Sequence, residues 1–331
     1  MAPPRSAFPR LLVLATGGTI AGSAGSAMRR EYRPGQVGIE HFITQASAMG
    51  ADAQLTGRQI ANIGSEDLDW PTLTRLHAEI ASAIGGGEFD GVIITHGTDT
   101  AEETAFLLDL TLPTDKPVVL VGAMHPVDTV GSDGMRNFVN SVRVAADPDA
   151  AGRGVLLVMS DAVLAARDAR KARTIGINAF AAFPRGPVGH ATPTSLEWFA
   201  PPWRPRAPAR FAWPERPPLV PILHAFLGMS PDCVEQALAG GARGIVLAGF
   251  GEGNMPTSVR RALADAVRQG VPVVRSTRVD EGLVDRQADD EAQGFIAARA
   301  LGPAKARILL QLLIASGERG GAACQAWFDC R

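Results

Sequence analysis

Residues 11–22 read LLVLATGGTIAG: an unbroken apolar run at 11–15 that passes directly into a threonine- and glycine-rich turn. Five apolar residues make a strand rather than a helix. A strand apolar at every position is covered on both faces, as in a parallel sheet flanked by helices. The same reading extends outward along the chain. Residues 91–95, 118–121 and 155–159 are further buried strands, and 220–226, 245–250 and 271–276 repeat the rhythm downstream. Longer amphipathic segments separate these runs, which is the pattern of βαβ units. Ser230-Pro231-Asp232 reads as a helix start, and the helix over 259–268 is expected to stop at Gly270.

Length and composition agree with that reading. A chain of 331 residues is more than one core usually holds, and 46% hydrophobic with 20% charged residues excludes a disordered chain. Eight of the 24 prolines fall between residues 201 and 221, a density that blocks helix and central strand. The expected layout is therefore an N-terminal α/β domain over 1–205, a proline-rich linker over 206–218 and a C-terminal α/β domain over 219–331. The net charge of −2 argues against nucleic acid or an acidic membrane surface as partner. No stretch reaches the roughly 18 to 20 apolar residues that cross a bilayer. The apolar run at 11–15 is too short for a signal-peptide core, so a cytoplasmic location is expected. Cys233, Cys324 and Cys330 are too few for a disulfide framework.

Two turns carry chemistry. The first, Thr16-Gly17-Gly18-Thr19-Ile20-Ala21-Gly22, follows the first strand, and ligands of open α/β sheets bind beyond the carboxyl ends of strands. Its spacing is not GxGxxG, so a dinucleotide is a poor fit. The second, His96-Gly97-Thr98-Asp99-Thr100, follows residues 91–95 and again sets hydroxyls and a carboxylate at a strand's carboxyl end. Asp99 as a plain helix cap is the bland alternative. One such turn says little; two on strands that could be neighbours converge on one crevice. The six histidines lack any metal-ligand spacing and there is no GxSxG elbow, so neither a metal, a cofactor nor a serine nucleophile is expected.

The pair TGGTIAG and HGTDT, in this order and separation, resembles the bacterial L-asparaginase and glutaminase-asparaginase family of threonine amidohydrolases. Further stretches look like the family's: residues 62–66, 121–124, 167–171, 251–254 and 305–307. The resemblance implies a larger N-terminal parallel-sheet domain and a smaller C-terminal flavodoxin-like or Rossmann-like α/β domain. It implies hydrolysis of L-asparagine, with L-glutamine as a second amide, through an acyl-enzyme on Thr19. Tyr32 is implied beside Thr19, on a lid over residues 23–34. Thr98, Asp99 and Lys171 are implied as a second, buried triad. Ser65, Glu66, Thr98, Asp99 and Ala123 are implied to bind the substrate. Asn254 is implied to reach a neighbouring subunit's site in a homotetramer built as a dimer of dimers.

Elementary chemistry fits those roles. A neutral threonine hydroxyl attacks an amide only with a proton acceptor at hand, and a lysine, a tyrosine or a bridging water could serve. Backbone N–H groups after Ala123 or in the Gly17-Gly18 turn could hold the oxyanion. Asp99 and Glu66 suit the ammonium of an amino acid, and Ser65 its carboxylate. In the run 167–173 a lysine is ordinarily just solvated, so Lys171 stands out only through the resemblance. The chain also departs from the family pattern. Glu66 stands where many members have Gln, and His125 stands where arginine is common. The second-domain acid has no clear counterpart, leaving Gln287, Asp289, Asp290 and Glu291 open. Two competing functions remain: a glutaminase-asparaginase of comparable activity on both amides, and a non-catalytic amino-acid-binding protein whose two lobes close on a ligand.

Overall fold

Alternation along the first strand sets the layers. In β1 (Arg10–Gly17), Leu12 and Leu14 enter one buried cluster while Leu11, Val13 and Ala15 enter another. Both faces are therefore covered, as a strand apolar at every position requires. The computed structural model describes residues 8–26, 28, 33, 35–202 and 211–330. The chain forms two compact units, Met1–Arg206 and Ala207–Arg331.

In the first unit, β1 is followed by α1 (Ile39–Ala48), β2 (Gln54–Ile63), α2 (Trp70–Gly85), β3 (Gly91–Thr95), α3 (Ala101–Thr111), β4 (Val118–Val121), α4 (Gly134–Ala146) and β5 (Val155–Met159). These strands pair in parallel in the order β2-β1-β3-β4-β5. Leu76 and Ile80 of α2 and Leu108 of α3 pack on one face. Phe42 of α1 and Phe138 and Val142 of α4 pack on the other. The chain leaves β1 toward β2 and comes back to β3 on its other side, so β1 is the point where the strand order reverses, the usual location of a ligand crevice. The crossovers through α1, α2 and α3 share one hand. The β4–α4–β5 crossover has the opposite hand, because α4 lies on the α1 face while the strand order advances as it did through α3. Such crossovers share a single hand in about 98% of cases.

The sheet then turns antiparallel. β6 (Ala162–Ala165), β9 (Gly189–Ala191) and β10 (Leu196–Trp198) extend it beyond β5 to eight strands, while β7 (Ala169–Lys171) and β8 (Phe180–Ala182) pair only with each other. Ser160 and Asp161, with φ of 49° and 66°, make the two-residue turn between β5 and β6, the left-handed pair that a tight hairpin needs.

The second unit contains β11 (Ile222–His224), α5 (Asp232–Ala239), β12 (Ile245–Gly249), α6 (Thr257–Arg268), β13 (Val273–Thr277), α7 (Ala288–Gln293), β14 (Ile296–Ala297), α8 (Pro303–Ala315) and α9 (Gly321–Asp329). Its four strands are parallel in sequence order. Val234, Val259 and Leu263 cover one face of Ile245, Leu247 and Val273. Arg275, fully buried in β13, donates from Nε to Asp290 Oδ2 at 2.5 Å and from its outer nitrogens to the carbonyls of Glu252 and Asp285.

Two local readings of the sequence change. The edge strand β2 has no apolar run: Gly57 lies against Ile39 and Ile43 of α1 and Ile60 enters the cluster of Leu76 and Ile80, while Gln54, Thr56, Arg58, Gln59 and Asn62 between and around them are exposed. Ser230 does not cap α5: the helix starts at Asp232 behind Pro231, and the Ser230 carbonyl accepts from Cys233 Sγ. Among the described residues, no helix is long and apolar enough to cross a membrane.

Glycine is required where β1 ends. Gly18 has φ of 79°, and a Cβ built there would lie 2.3 Å from the Gly97 Cα. The loops that follow β1 and β3 thus touch backbone to backbone. Gly18→Ala is expected to destabilise the protein by about 3 kcal/mol or more, from the strained φ and the displaced loop together. Urea denaturation checks this. A loss below about 1 kcal/mol would mean that the two loops can part at little cost.

Candidate active site

Four loops leave the carboxyl ends of four adjacent parallel strands: Gly18-Thr19 after β1, Gly64-Ser65-Glu66 after β2, His96 to Thr100 after β3, and Gly122 to His125 after β4. Close backbone packing joins them. Gly18 abuts Gly97, Gly97 abuts the Ser65 side chain, and Gly122 abuts the His96 carbonyl and the Thr98 methyl. Thr16 Oγ1 adds a hydrogen bond to the Thr95 carbonyl at 3.0 Å, tying β1 to β3 just before both strands end.

Thr19 opens a single 3-10 turn, Thr19–Ala21, and is buried. Thr98 is buried on the adjacent loop, where its Oγ1 accepts from Lys171 Nζ at 2.8 Å. The same ammonium donates to Asp99 Oδ1 at 2.5 Å, and the Lys171 backbone N–H donates to Glu102 Oε2 at 3.0 Å. The structure therefore brings Thr98, Asp99 and Lys171 into one hydrogen-bonded group. Asp99 does not cap α3, whose N-cap is Thr100 without a side-chain cap bond. The trio is not fully buried either: the Asp99 side chain is 60% exposed. A carboxylate with an open side suits a ligand that brings its own positive charge.

Ser65 is buried. Its Oγ accepts from Thr100 N at 3.3 Å, and its carbonyl accepts from Thr100 Oγ1 at 2.9 Å. The hydroxyl proton is still available to donate. Glu66 is exposed, its carboxylate folded against Gly64, and among the described residues it has no hydrogen-bond or ion-pair partner. Ala123 is fully buried beside Gly134. Asn254 is exposed beyond β12 in the second unit, at the close of a short loop bridged by Asn254 N to the Phe250 carbonyl at 2.7 Å. Tyr32, and with it residues 27, 29–31 and 34 of the expected lid, lies outside the described residues. The described ends of that segment meet in a bridge between Ser23 and Arg33. Asp128 accepts there from Ser23 Oγ and from the N–H groups of Ala24 and Gly25 at 2.7–2.9 Å, and the Ala24 bond leads in holding its carboxyl below the usual range.

Asp133 and Asn137 hold the loop after β4, and sequence reasoning passed over both. The buried Asp133 carboxylate accepts from Met124 N at 3.1 Å, His125 N at 3.0 Å and Asn137 Nδ2 at 3.0 Å. Asn137 Nδ2 also donates to the Gly122 carbonyl at 3.0 Å, and Asn137 Oδ1 accepts from Ser160 N at 3.0 Å. This network clamps the loop after β4 onto α4 and the β5–β6 turn. It also withdraws two expected oxyanion donors, Met124 and His125, just as Gly18 N is taken by the Ile63 carbonyl at 2.9 Å. Asp133 in front of a helix reads locally as a cap, yet it makes no side-chain cap bond. Among the candidate acids of the second unit, Asp290 is eliminated: it is buried and paired with Arg275 and Arg260.

His96 is buried next to the trio, with Nδ1 2.6 Å from the Gly97 carbonyl and Nε2 without a partner. Burial pushes its pKa down to about 4. A neutral imidazole of that basicity is a poor proton acceptor near pH 7, so His96 supports the loop rather than the chemistry.

Both units of the chain are similar to known proteins. The family model "Asparaginase, N-terminal" matches residues 10–204, and "Glutaminase/Asparaginase C-terminal domain" matches residues 219–328. L-asparaginase 2 of Escherichia coli (strain K12) is 40% identical over 323 residues, covering 93% of this chain and 89% of that protein. Glutaminase-asparaginase of Pseudomonas fluorescens biotype A is 35% identical over 323 residues, covering 94% and 87%. The crystal structure of the probable cytoplasmic L-asparaginase of Campylobacter jejuni matches with a TM-score of 0.90 at 33% identity, over 98% of this chain and 100% of that one.

The buried imidazole makes stability depend on pH. His96 titrates near 6.5 in the unfolded chain and at about 4 in the folded one. The unfolded state therefore binds more protons between those values. His96's contribution is complete above about pH 6.5 and is lost as the pH falls toward 4, by about 3 kcal/mol in all. His77, also lowered by burial, acts in the same direction. Chemical denaturation at pH 7 and pH 4.5 should show the loss, and His96→Gln should show a shallower dependence. An equal pH slope in the two proteins would remove His96 as its source.

Proposed function

The chain belongs to the asparaginase family of amidohydrolases, and from that premise we propose that it hydrolyses L-asparagine to L-aspartate and ammonia through an acyl-enzyme on Thr19. The observation that carries the reading is the group that Lys171 of β7 forms with Thr98 and Asp99, which lie on the loop that packs against the Thr19 loop. Thr19 Oγ attacks the side-chain carbonyl carbon while its proton passes to Thr98 Oγ1 and the Thr98 proton passes to Lys171 Nζ, which enters this step as the neutral amine. The carbon–nitrogen bond breaks as a proton returns to the leaving nitrogen, and ammonia departs. Water then attacks the ester, restoring Thr19 and releasing a carboxylate. Hydrogen bonding at 2.8 Å between a hydroxyl and an amine supports such a transfer. Asp99, whose side chain is mostly exposed, is the group for the substrate ammonium, and the Ser65 hydroxyl is the donor for the α-carboxylate.

We keep a cytoplasmic location and a homotetramer in this reading. The similar Campylobacter jejuni protein is named as cytoplasmic, and the exposed Asn254 is suited to a neighbouring subunit's site. Purified protein should release ammonia from L-asparagine without ATP, whereas an amino-acid-binding protein would release none. Thr19→Ala should lose about 10³-fold or more in kcat and still bind L-aspartate. Near-normal turnover in that variant would show that another group attacks.

Glu66 bears on the choice of amide. Asparagine and glutamine differ by one methylene, which a pocket resolves by only about 1 to 3 kcal/mol. An extra carboxylate beside Asp99 strengthens the hold on the ammonium, so a longer side chain lying slightly off the ideal position is better tolerated. L-glutaminase activity is therefore expected below the asparaginase activity, with a lower Gln-to-Asn ratio of kcat/KM in Glu66→Gln. An unchanged ratio would assign the preference elsewhere.

A further inference from the structure

Lys171 reaches the Thr98–Asp99 loop from an element that is not part of the main sheet. It ends β7, three residues long, whose ladder partner is β8 in a separate two-stranded sheet. The hairpin root is held at Asp168, buried between Arg185 at 2.7 Å and Arg167 at 3.3 Å. Asp168 lies three positions before Lys171, so it anchors where the hairpin starts rather than where the lysine ends.

Two carboxylates from one short stretch of chain hold Lys171 itself. Asp99, in the loop after β3, takes the ammonium at 2.5 Å, and Glu102, in the first turn of α3, takes the backbone N–H at 3.0 Å. An acidic side chain is favoured in that first turn, next to the positive end of the helix. The two bonds have different consequences. A lysine has four flexible methylenes, so a bond at Nζ alone fixes the charge without fixing the path that brings it there. A bond at the backbone sets where those methylenes begin. Because Glu102 follows Thr98 and Asp99 on the same loop and helix, it locates the root of Lys171 in the frame of the groups that Lys171 must meet.

We propose that Glu102 is a positioning residue for the reaction. Its carboxylate oxygen holds the Lys171 main chain in register with Thr98, acting through Lys171 and not on the substrate. The inference rests on the proposed role of Lys171. It calls for a hydrogen-bond acceptor at the reach of a glutamate, not for a negative charge.

The experiment compares Glu102→Gln, Glu102→Asp and Glu102→Ala in the purified full-length protein, with Lys171→Met as control, measuring kcat, KM for L-asparagine and thermal midpoint. Glutamine keeps an acceptor at the same reach and should stay within about threefold of the parent kcat. Aspartate keeps the charge but withdraws the acceptor by one methylene. Aspartate and alanine should lose about 10- to 100-fold in kcat, with KM changed by less than about threefold, as misplacement of a reacting group by about an ångström does. A purely structural role would instead lower the thermal midpoint and leave kcat per folded molecule unchanged. Activity kept by Asp and lost by Gln would overturn the proposal in favour of a charge effect, and a folded Ala variant within about twofold of the parent would overturn it outright. Should Ala fail to fold, the Gln-against-Asp order still decides. Full activity in Lys171→Met would instead refute the role of Lys171, an outcome distinct from any pattern among the Glu102 variants.

Discussion

The near-contact of Gly18 with Gly97 is the constraint on which the rest of the site depends. Both lie just past the carboxyl ends of β1 and β3, neighbours across the point where the strand order reverses. Any side chain at Gly18 would push the two loops apart. Because neither residue carries one, the Thr19 turn lies directly against the Thr98 loop. Ser65 packs onto Gly97 from the β2 side and Gly122 onto His96 and Thr98 from the β4 side, so loops from four strands are registered by backbone packing. A rigid sheet sets the origin of each loop, and glycine sets how near they come.

Around this contact the fold places polar groups that would be costly if left unpaired. Asp133 collects two backbone N–H groups and an amide, and Asn137 serves the loop after β4, the carboxylate and the β5–β6 turn at once. A buried network with its members satisfied is rigid, and removing one member exposes the full desolvation cost of the others. The network also anchors the start of α4, the helix of the crossover with the opposite hand. The second unit uses the same device. Arg275 is fully enclosed and joins Asp290 of α7 to the carbonyls of Glu252 and Asp285, holding the loop that presents Asn254.

The electrostatics follow from the same arrangement. The loops past the strand ends carry an open carboxylate at Asp99 and an uncompensated one at Glu66, and the ammonium of Lys171 is already engaged by Asp99. His96, pushed toward neutrality by burial, adds no competing charge.

Much of this was legible in the residues themselves. Strands that are buried on both faces need apolar residues at every position, so β3, β4 and β5 begin and end where the apolar runs do. Gly17-Gly18-Thr19 and Gly97-Thr98-Asp99 announced themselves as turns at strand ends because glycine and hydroxyl residues have few other uses there. The edge strand β2 and the short strands β6 to β10 did not show. Exposed residues interrupt β2, and β7 to β10 are each only three residues long, so none of these leaves an apolar run long enough to read as a strand. Side-chain partners were the least legible. Local rules treat Asp99 and Asp133, each just before a helix, as caps, and the fold turns the first to Lys171 and the second to Met124 and His125. Sequence by itself determined the layers, the turns and the residue types at the site, since burial and backbone conformation act on each residue where it stands. Which carboxylate meets which cation was decided only in the tertiary structure, because those partners lie on separate elements, 72 positions apart for Lys171 and Asp99, and a hydrogen bond forms only where the packing of the sheet brings the two atoms together.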